Sequence, residues 1–210
     1  TDGIFQNAAE VEAHPSQIAL GAEAQPGDLR FVDINGDGVI DADDRTNLGD
    51  PIPDFTMGLN LGFEYKRLDF RAYIFSSIGN DMVRNYERAL SDVNRLDYYL
   101  DRWTGEGTST EVPRVTTAAT SNLVFSDFYV EDASFVRLQN VQLGYTLPLS
   151  FLRNDLSTLR LYVSANNLLT LTQYRGFDPA ASSGAPIGGG IDYGFYPIPR
   201  IFMFGANLNL

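Results

Sequence analysis

The feature that most constrains this chain is a hydrophobic alternation of period two, sustained over stretches as long as a membrane-crossing strand. In the first, 54–66, Phe55, Met57, Leu59, Leu61, Phe63 and Tyr65 share one face while Thr56, Gly58, Asn60, Gly62, Glu64 and Lys66 share the other. The second, 68–79, sets Leu68, Phe70, Ala72, Ile74 and Ile78 against Asp69, Arg71, Tyr73 and Ser77. Almost nothing around Arg67 separates them, so they read as a tight hairpin. A third strand, 134–147, turns Val141, Leu143, Tyr145 and Leu147 one way, and its alternation breaks before Gln139, which suggests a β-bulge or a stretch rising out of the membrane. A fourth, 158–171, aligns Leu159, Leu161, Val163, Ala165, Leu169 and Leu171, with Asn167 as the one misfit. The fifth, 199–210, alternates Phe202, Phe204, Ala206, Leu208 and Leu210 with Gly205, Asn207 and Asn209.

The polar faces are built mainly of Gly, Asn, Thr, Ser and Gln, where a soluble sandwich would expose Lys and Glu. Small uncharged residues suit a lumen, and strands of ~9 to 11 residues with one apolar face are what crossing a bilayer by strands requires. The expected fold is therefore all-β: a transmembrane antiparallel β-barrel, of which this chain supplies about the last five strands. The connections alternate short and long, the long ones being 80–131 and 172–198. In barrels, short turns face the periplasm and long loops face outward, which puts the C-terminus in the periplasm. Five strands leave two open edges, untenable in lipid, so the rest of the barrel is expected from elsewhere. No run of apolar residues is long enough for a transmembrane helix, and Thr1-Asp2-Gly3 does not begin a signal peptide. Within 80–131, Tyr86, Leu90, Val93, Leu96, Leu100 and Trp103 fall at helical spacing and predict a short amphipathic helix.

Charge is uneven. The net charge is −12, with the acidic residues concentrated before residue 51, in an extracellular segment taken as 1–53. An acidic chain does not hold nucleic acid by neutralising phosphates. Within that segment, residues Asp33 to Asp44 follow the twelve-residue EF-hand calcium pattern. Asp33, Asn35 and Asp37 place short oxygen ligands at alternate positions, Gly38 permits the sharp turn, and Val39 offers its carbonyl. Ile40 pins the loop to its support, Asp41 acts through water, and Asp44 closes the shell. Hard oxygen donors without His or Cys select Ca2+ over zinc. Asp44 is one methylene shorter than the usual glutamate, which implies modest affinity. Pro26-Gly27 before the loop, and Pro51 and Pro53 after it, leave no room for the helix pair of a calcium sensor, so the expected role is a brace for an external loop.

No catalytic constellation emerges, and the chain is not expected to be an enzyme. His14, the single histidine, lies beside Pro15 in a polar stretch and is expected at the surface. The pair Glu131-Asp132 shows no glycosidase spacing that sequence alone could establish. Gly188-Gly189-Gly190 lacks the flanking strand and helix of a phosphate cradle, and the absence of cysteine excludes disulfides and thiolate metal sites.

Several ordered stretches also carry a likeness that covers the whole chain. They are Gly3-Ile4-Phe5-Gln6-Asn7, Pro26-Gly27-Asp28, Gly49-Asp50-Pro51-Ile52-Pro53-Asp54-Phe55, Asp101-Arg102-Trp103-Thr104, Val112-Pro113-Arg114, residues Val130 to Leu138, and Tyr196-Pro197-Ile198-Pro199-Arg200. With these the chain resembles the C-terminal part of the SusC/RagA family of TonB-dependent outer-membrane transporters. The resemblance implies a barrel of the Bacteroidetes outer membrane, filled by a plug, lidded by a SusD-like surface lipoprotein and energised through TonB. It also implies import of oligosaccharides or peptides. Leu210 stands where such barrels commonly end in an aromatic residue. Arg71, Tyr73, Arg160 and Tyr162 are placed on the lumen, where they line a substrate path or pack against the plug. The rival class is a secreted, calcium-stabilised soluble β-rich adhesion or scaffold module, which would bury its apolar faces against one another.

Overall fold

The computed structural model describes residues 1–89, 94–148, 158–181 and 189–209. The expected turn after Pro148, the helix positions Leu90 and Val93, Gly188 and the final Leu210 lie wholly or largely outside those residues. Two compact units make up the chain: Thr1–Gly49 with Val83–Glu131, and Asp50–Met82 with Asp132–Leu210.

The strands lie at Phe55–Tyr65 (β1), Leu68–Ile78 (β2), Asp81–Arg84 (β3), Val130–Asp132 (β4), Phe135–Pro148 (β5), Thr158–Thr172 (β6), Ile191–Asp192 (β7) and Ile201–Asn209 (β8). The second unit is dominated by one antiparallel sheet with order β1-β2-β5-β6-β8. Its register keeps every apolar rib on one side: Leu61 opposite Ala72, Ala72 opposite Val141, Val141 opposite Ala165, and Ala165 opposite Phe202. The β1–β2 hairpin closes through Lys66 and Arg67, with Lys66 in the left-handed region at φ 56°. β3, β4 and β7 form a small second sheet with order β4-β3-β7.

The sequence irregularities have a geometric cause. Between β2 and β5 the pairing passes from Tyr73–Asn140 to Ile74–Leu138, so Gln139 is the extra residue of a bulge. The apolar rib of β5 therefore changes parity, from Val141 and beyond to Leu138 and Val136. Across β5–β6 the pairing passes from Asn140–Asn166 to Leu138–Leu169, leaving Asn167 and Leu168 facing Gln139. Asn167 adopts φ 52°, a conformation that asparagine tolerates better than most residues, and its Nδ2 donates to Pro199 O at 3.2 Å. The misfit residue thus sits where the register between β5 and β6 shifts.

Among the described residues no second sheet covers the apolar face. The outward residues of β1, from Phe55 to Tyr65, are each between 41% and 59% exposed. Phe204 and Leu208 of β8 are 84% and 57% exposed. This is a sector of a transmembrane antiparallel β-barrel and the reverse of a sandwich, which would hide those side chains. No helix among the described residues is long and apolar enough to cross a membrane.

The first unit has little regular structure: a six-residue helix, Ala8–Ala13 (α1), capped by Asn7, a second at Asn85–Ala89 (α2), and short 3-10 turns. The helix expected between Tyr86 and Trp103 does not form as one element. α2 covers Asn85–Ala89, residues 94–96 are not helical, Leu96 is extended, and Asp97–Asp101 is a 3-10 turn whose Leu100 is 77% exposed. The aromatic residues of that turn are drawn elsewhere, Tyr98 onto Arg84 and Tyr99 onto Arg95. The division at residue 53 also differs from the structure, because Val83–Glu131 joins the acidic N-terminal segment in one compact unit.

Candidate functional site: an acidic loop and a polar wall

The acidic loop is organised by its own backbone amides. Asp33 accepts from Gly36 N at 2.6 Å and Gly38 N at 2.8 Å, Asn35 accepts from Asp37 N at 2.9 Å, and Asp37 accepts from Val39 N at 2.9 Å. Asp41 accepts from Asp43 N at 2.8 Å and caps the 3-10 turn Ala42–Asp44. Asp44 reaches back to accept from Ile34 N at 2.8 Å and Asp41 N at 2.9 Å, which closes the ring. The Asp41 amide foremost, with those of Ile34 and Asn35, holds the Asp44 carboxyl below the usual carboxylate range. Gly36 and Gly38 take φ 77° and 89°, as the sharp turn demands.

The loop therefore has the curvature of an oxygen cage. Its side-chain oxygens cap amides, however, and among the described residues no group of three or more acidic or histidine side chains gathers closely enough to hold a metal. Ile40 is 1% exposed and its amide donates to Ser16 O at 2.8 Å, so the loop is fastened to the segment that follows α1, just after Pro15.

The same unit contains a hub that the loop motif does not predict. Asp28 is fully buried and accepts from Arg114 Nε at 2.7 Å and Nη2 at 3.0 Å, Asn122 Nδ2 at 2.9 Å, Thr120 Oγ1 at 3.2 Å and Gln25 N at 2.9 Å. A buried carboxylate is tolerable when its oxygens are so fully engaged. Gly27, at φ 89°, lies under Trp103, where a Cβ would come within 2.4 Å of the indole. Phe5 N donates to Asp28 O, and Arg114 N to Gly27 O. Stretches 3–7, 26–28, 101–104 and 112–114, scattered in sequence, thus meet here. His14 is half-buried, edge-on to Phe5 at 5.1 Å, and not the free surface residue that its polar neighbours suggest.

A second buried knot surrounds Arg84. Its guanidinium pairs with Glu87, lies 2.7 Å from Glu131 Oε1, meets the Tyr98 hydroxyl and donates to Phe128 O at 2.7 Å. The rings of Tyr98, Phe128 and Tyr129 flank it. Burial pulls the Arg84 pKa down, and Tyr98, Glu87 and Glu131 together more than reverse it, so the net shift is upward.

On the barrel sector, the inner face is fitted around glycine. Arg160 forks onto Asp69 at 2.9 and 2.5 Å, from β6 to β2 across β5, and Gly144 lies beneath. A Cβ at Gly144 would lie 2.3 Å from the Asp69 carboxylate. Tyr73 lies over Gly58, and Tyr162 over Gly205 in the same way. Glu64, Arg67, Asp69, Arg71, Gln142 and Arg160 bound a recess of 440 Å³ at the hairpin end of this face. At the other end, Arg137 donates to Thr170 and, at 2.5 Å, to Asp178 in the 172–198 loop. Burial would raise the Asp178 carboxyl, but the amides of Ala180 and Ile198 together with Arg137 hold it below the usual range. Asp192, fully buried, accepts from Tyr174 Oη at 2.8 Å and Gly194 N at 2.8 Å.

No family model matches the chain. TonB-dependent receptor P3 of Formosa agariphila is 39% identical over an alignment that takes in 98% of this chain and 21% of that protein. TonB-dependent receptor SusC of Bacteroides thetaiotaomicron is 27% identical over 96% of this chain and 20% of its own length. Among solved structures, the RagAB peptide importer in its closed-closed state superposes with a TM-score of 0.64 at 30% identity, covering 87% of this chain and 21% of that one. The chain thus spans about a fifth of the length of the relatives it matches.

Proposed function

Because the chain belongs to the SusC/RagA family of TonB-dependent receptors, of which it forms a C-terminal portion, we propose that it supplies the last strands and outer loops of a nutrient importer in a Gram-negative outer membrane. The observation that carries this reading is the apolar face of the sheet, on which large side chains of every strand stand exposed, among them Leu61, Leu68, Leu143, Leu161 and Phe204. Fully burying a large apolar side chain is worth roughly 1.5–3 kcal/mol, so the six half-exposed outward residues of β1 each leave about half of that unrealised in water. Lipid is the solvent that suits them.

In this reading the β1–β2 turn faces the periplasm and the first unit lies outside the cell. A SusD-like lipoprotein covers the outer mouth, a plug fills the lumen, and TonB acts through a part of the receptor beyond these residues. The cargo is an oligosaccharide or a peptide, and the chain catalyses nothing. The test is to extract the receptor from purified outer membranes and weigh the intact complex. A detergent-soluble assembly of about a hundred kilodaltons or more, which takes up labelled oligosaccharide or peptide in a TonB-dependent way, supports the proposal. A water-soluble particle of 23.2 kDa overturns it.

The proposal extends to a calcium ion in the Asp33–Asp44 loop, held by Asp33, Asn35, Asp37, the Val39 carbonyl, Asp41 and Asp44. Support comes from the left-handed Gly38 at the turn, the closure of the ring by Asp44 and the anchored Ile40. Binding would draw carboxylates away from some of the amides they now cap. Calorimetric titration should show calcium bound in preference to magnesium and lost in Asp37→Ala. Equal heats in both proteins would remove the ion from the account.

A further inference from the structure

The acidic loop and the Asp28 hub have no direct side-chain bond in common, yet one short segment touches both. Ser16 forms a parallel bridge with Val39, and its carbonyl accepts from Ile40 N at 2.8 Å. The next residue, Gln17, is 2% exposed and branches toward the hub. Its Nε2 donates to Leu29 O at 3.1 Å and to Ser121 Oγ at 2.8 Å, and its Oε1 accepts from Phe31 N at 3.4 Å. Leu29 N in turn donates to Asn122 Oδ1 at 2.7 Å, and Asn122 Nδ2 donates to Asp28 at 2.9 Å.

We infer that Gln17 is a relay: order in the Asp33–Asp44 loop is transmitted through the Ser16 backbone and the Gln17 side chain to the Leu29–Asn122–Asp28–Arg114 network. The physical basis is satisfaction of buried polar groups. If the loop loosens, Ile40 withdraws from Ser16 and Gln17 shifts; its amide is then left buried beside partners that have no water to replace it. The hub cannot adjust piecemeal, because Asn122 uses its oxygen for Leu29 and its nitrogen for Asp28. Loop and hub thus change order together, which makes the acidic loop a control point for the unit as well as a local brace. The relay consists of protein bonds alone and stands whether or not an ion occupies the loop.

Hydrogen exchange of the full-length receptor in detergent, with chelator present throughout, tests it. Asp33→Ala removes the bonds to Gly36 N and Gly38 N and should raise exchange about tenfold or more in 33–44 and also in 28–31 and 120–123. Gln17→Met, matched in volume, should raise exchange at 28–31 and 120–123, and in its background Asp33→Ala should add less than twofold there. Asn47→Ala, which loses an exposed bond to Gly49 N just beyond the loop, should leave the hub unchanged. A response to Asp33→Ala confined to 33–44, or an undiminished response at 120–123 in the Gln17→Met background, would overturn the relay. Should Gln17→Met fail to fold, Ser121→Ala severs one branch and should cut the transmitted response at least threefold; no reduction there overturns the relay equally.

Discussion

Replacing Arg84 by Met should open the first unit while sparing the barrel sector. Arg84 and Glu87 are 0% and 1% exposed, and the Glu131 side chain is 10% exposed, so the substitution takes the buried cation away from two carboxylates that water does not reach readily, Glu87 keeping the Tyr98 hydroxyl. It also removes the bond to Phe128 O and the cation against three aromatic rings. Breaking a buried ion pair from one side costs about 3–5 kcal/mol, equivalent to roughly a hundred- to several-thousand-fold in a local opening constant. The assay is hydrogen exchange of the full receptor, read at 84–89, 97–101 and 128–131, with β5 and β6 as internal reference. The triple variant Arg84→Met, Glu87→Gln, Glu131→Gln should recover most of the protection, because removing all the charges is far less costly than isolating two. Less than a threefold change in Arg84→Met, or a triple variant no better than the single one, would refute the reasoning.

On the barrel wall, Leu61→Arg should cost up to about 2–4 kcal/mol at mid-bilayer, seen as a lowered unfolding midpoint in liposomes, whereas Asn60→Arg one residue away should be tolerated. Gly144→Val should displace the Asp69–Arg160 fork and reduce folded, heat-modifiable receptor on gels, because the new side chain meets both partners. Asp178 has a lowered carboxyl, so its bonds stabilise the 172–198 loop fully above the unfolded carboxylate value of about 3.9 and lose that contribution as pH falls through the lower folded value. Protection at 174–181 and 195–198, taken relative to the intrinsic exchange rate at each pH, should therefore fall between pH 5 and about pH 2 in the parent and fall less in Asp178→Asn.

The strands could be read from sequence because each residue faces one of two contrasting environments, and alternation records that contrast locally. Even the exceptions carried information: Gln139 and Asn167 broke the pattern where the strand register shifts. The first unit was less legible. Its bonds join residues far apart in the chain, such as Asp28 to Arg114 and Gln17 to Ser121, and no local periodicity encodes them. Helical spacing from Tyr86 to Trp103 misled because Leu96 is extended, Leu100 is exposed and Trp103 is drawn onto Gly27, so these residues share no helical face. The loop motif located the acidic residues and Ile40, but Ser16 and Gln17 had no signal beyond their nearness to Pro15.

The central claim is that odd residues of 55–65 face lipid and even ones face a lumen. The chain has no cysteine, so single cysteines can be placed along it without background from these residues and spin-labelled in the receptor reconstituted in liposomes. Collision with oxygen, which concentrates in lipid, should peak at 57, 59, 61 and 63 and fall at 58, 60 and 62. Uniform accessibility along the strand, or odd positions shielded from oxygen and packed against protein, would contradict the account.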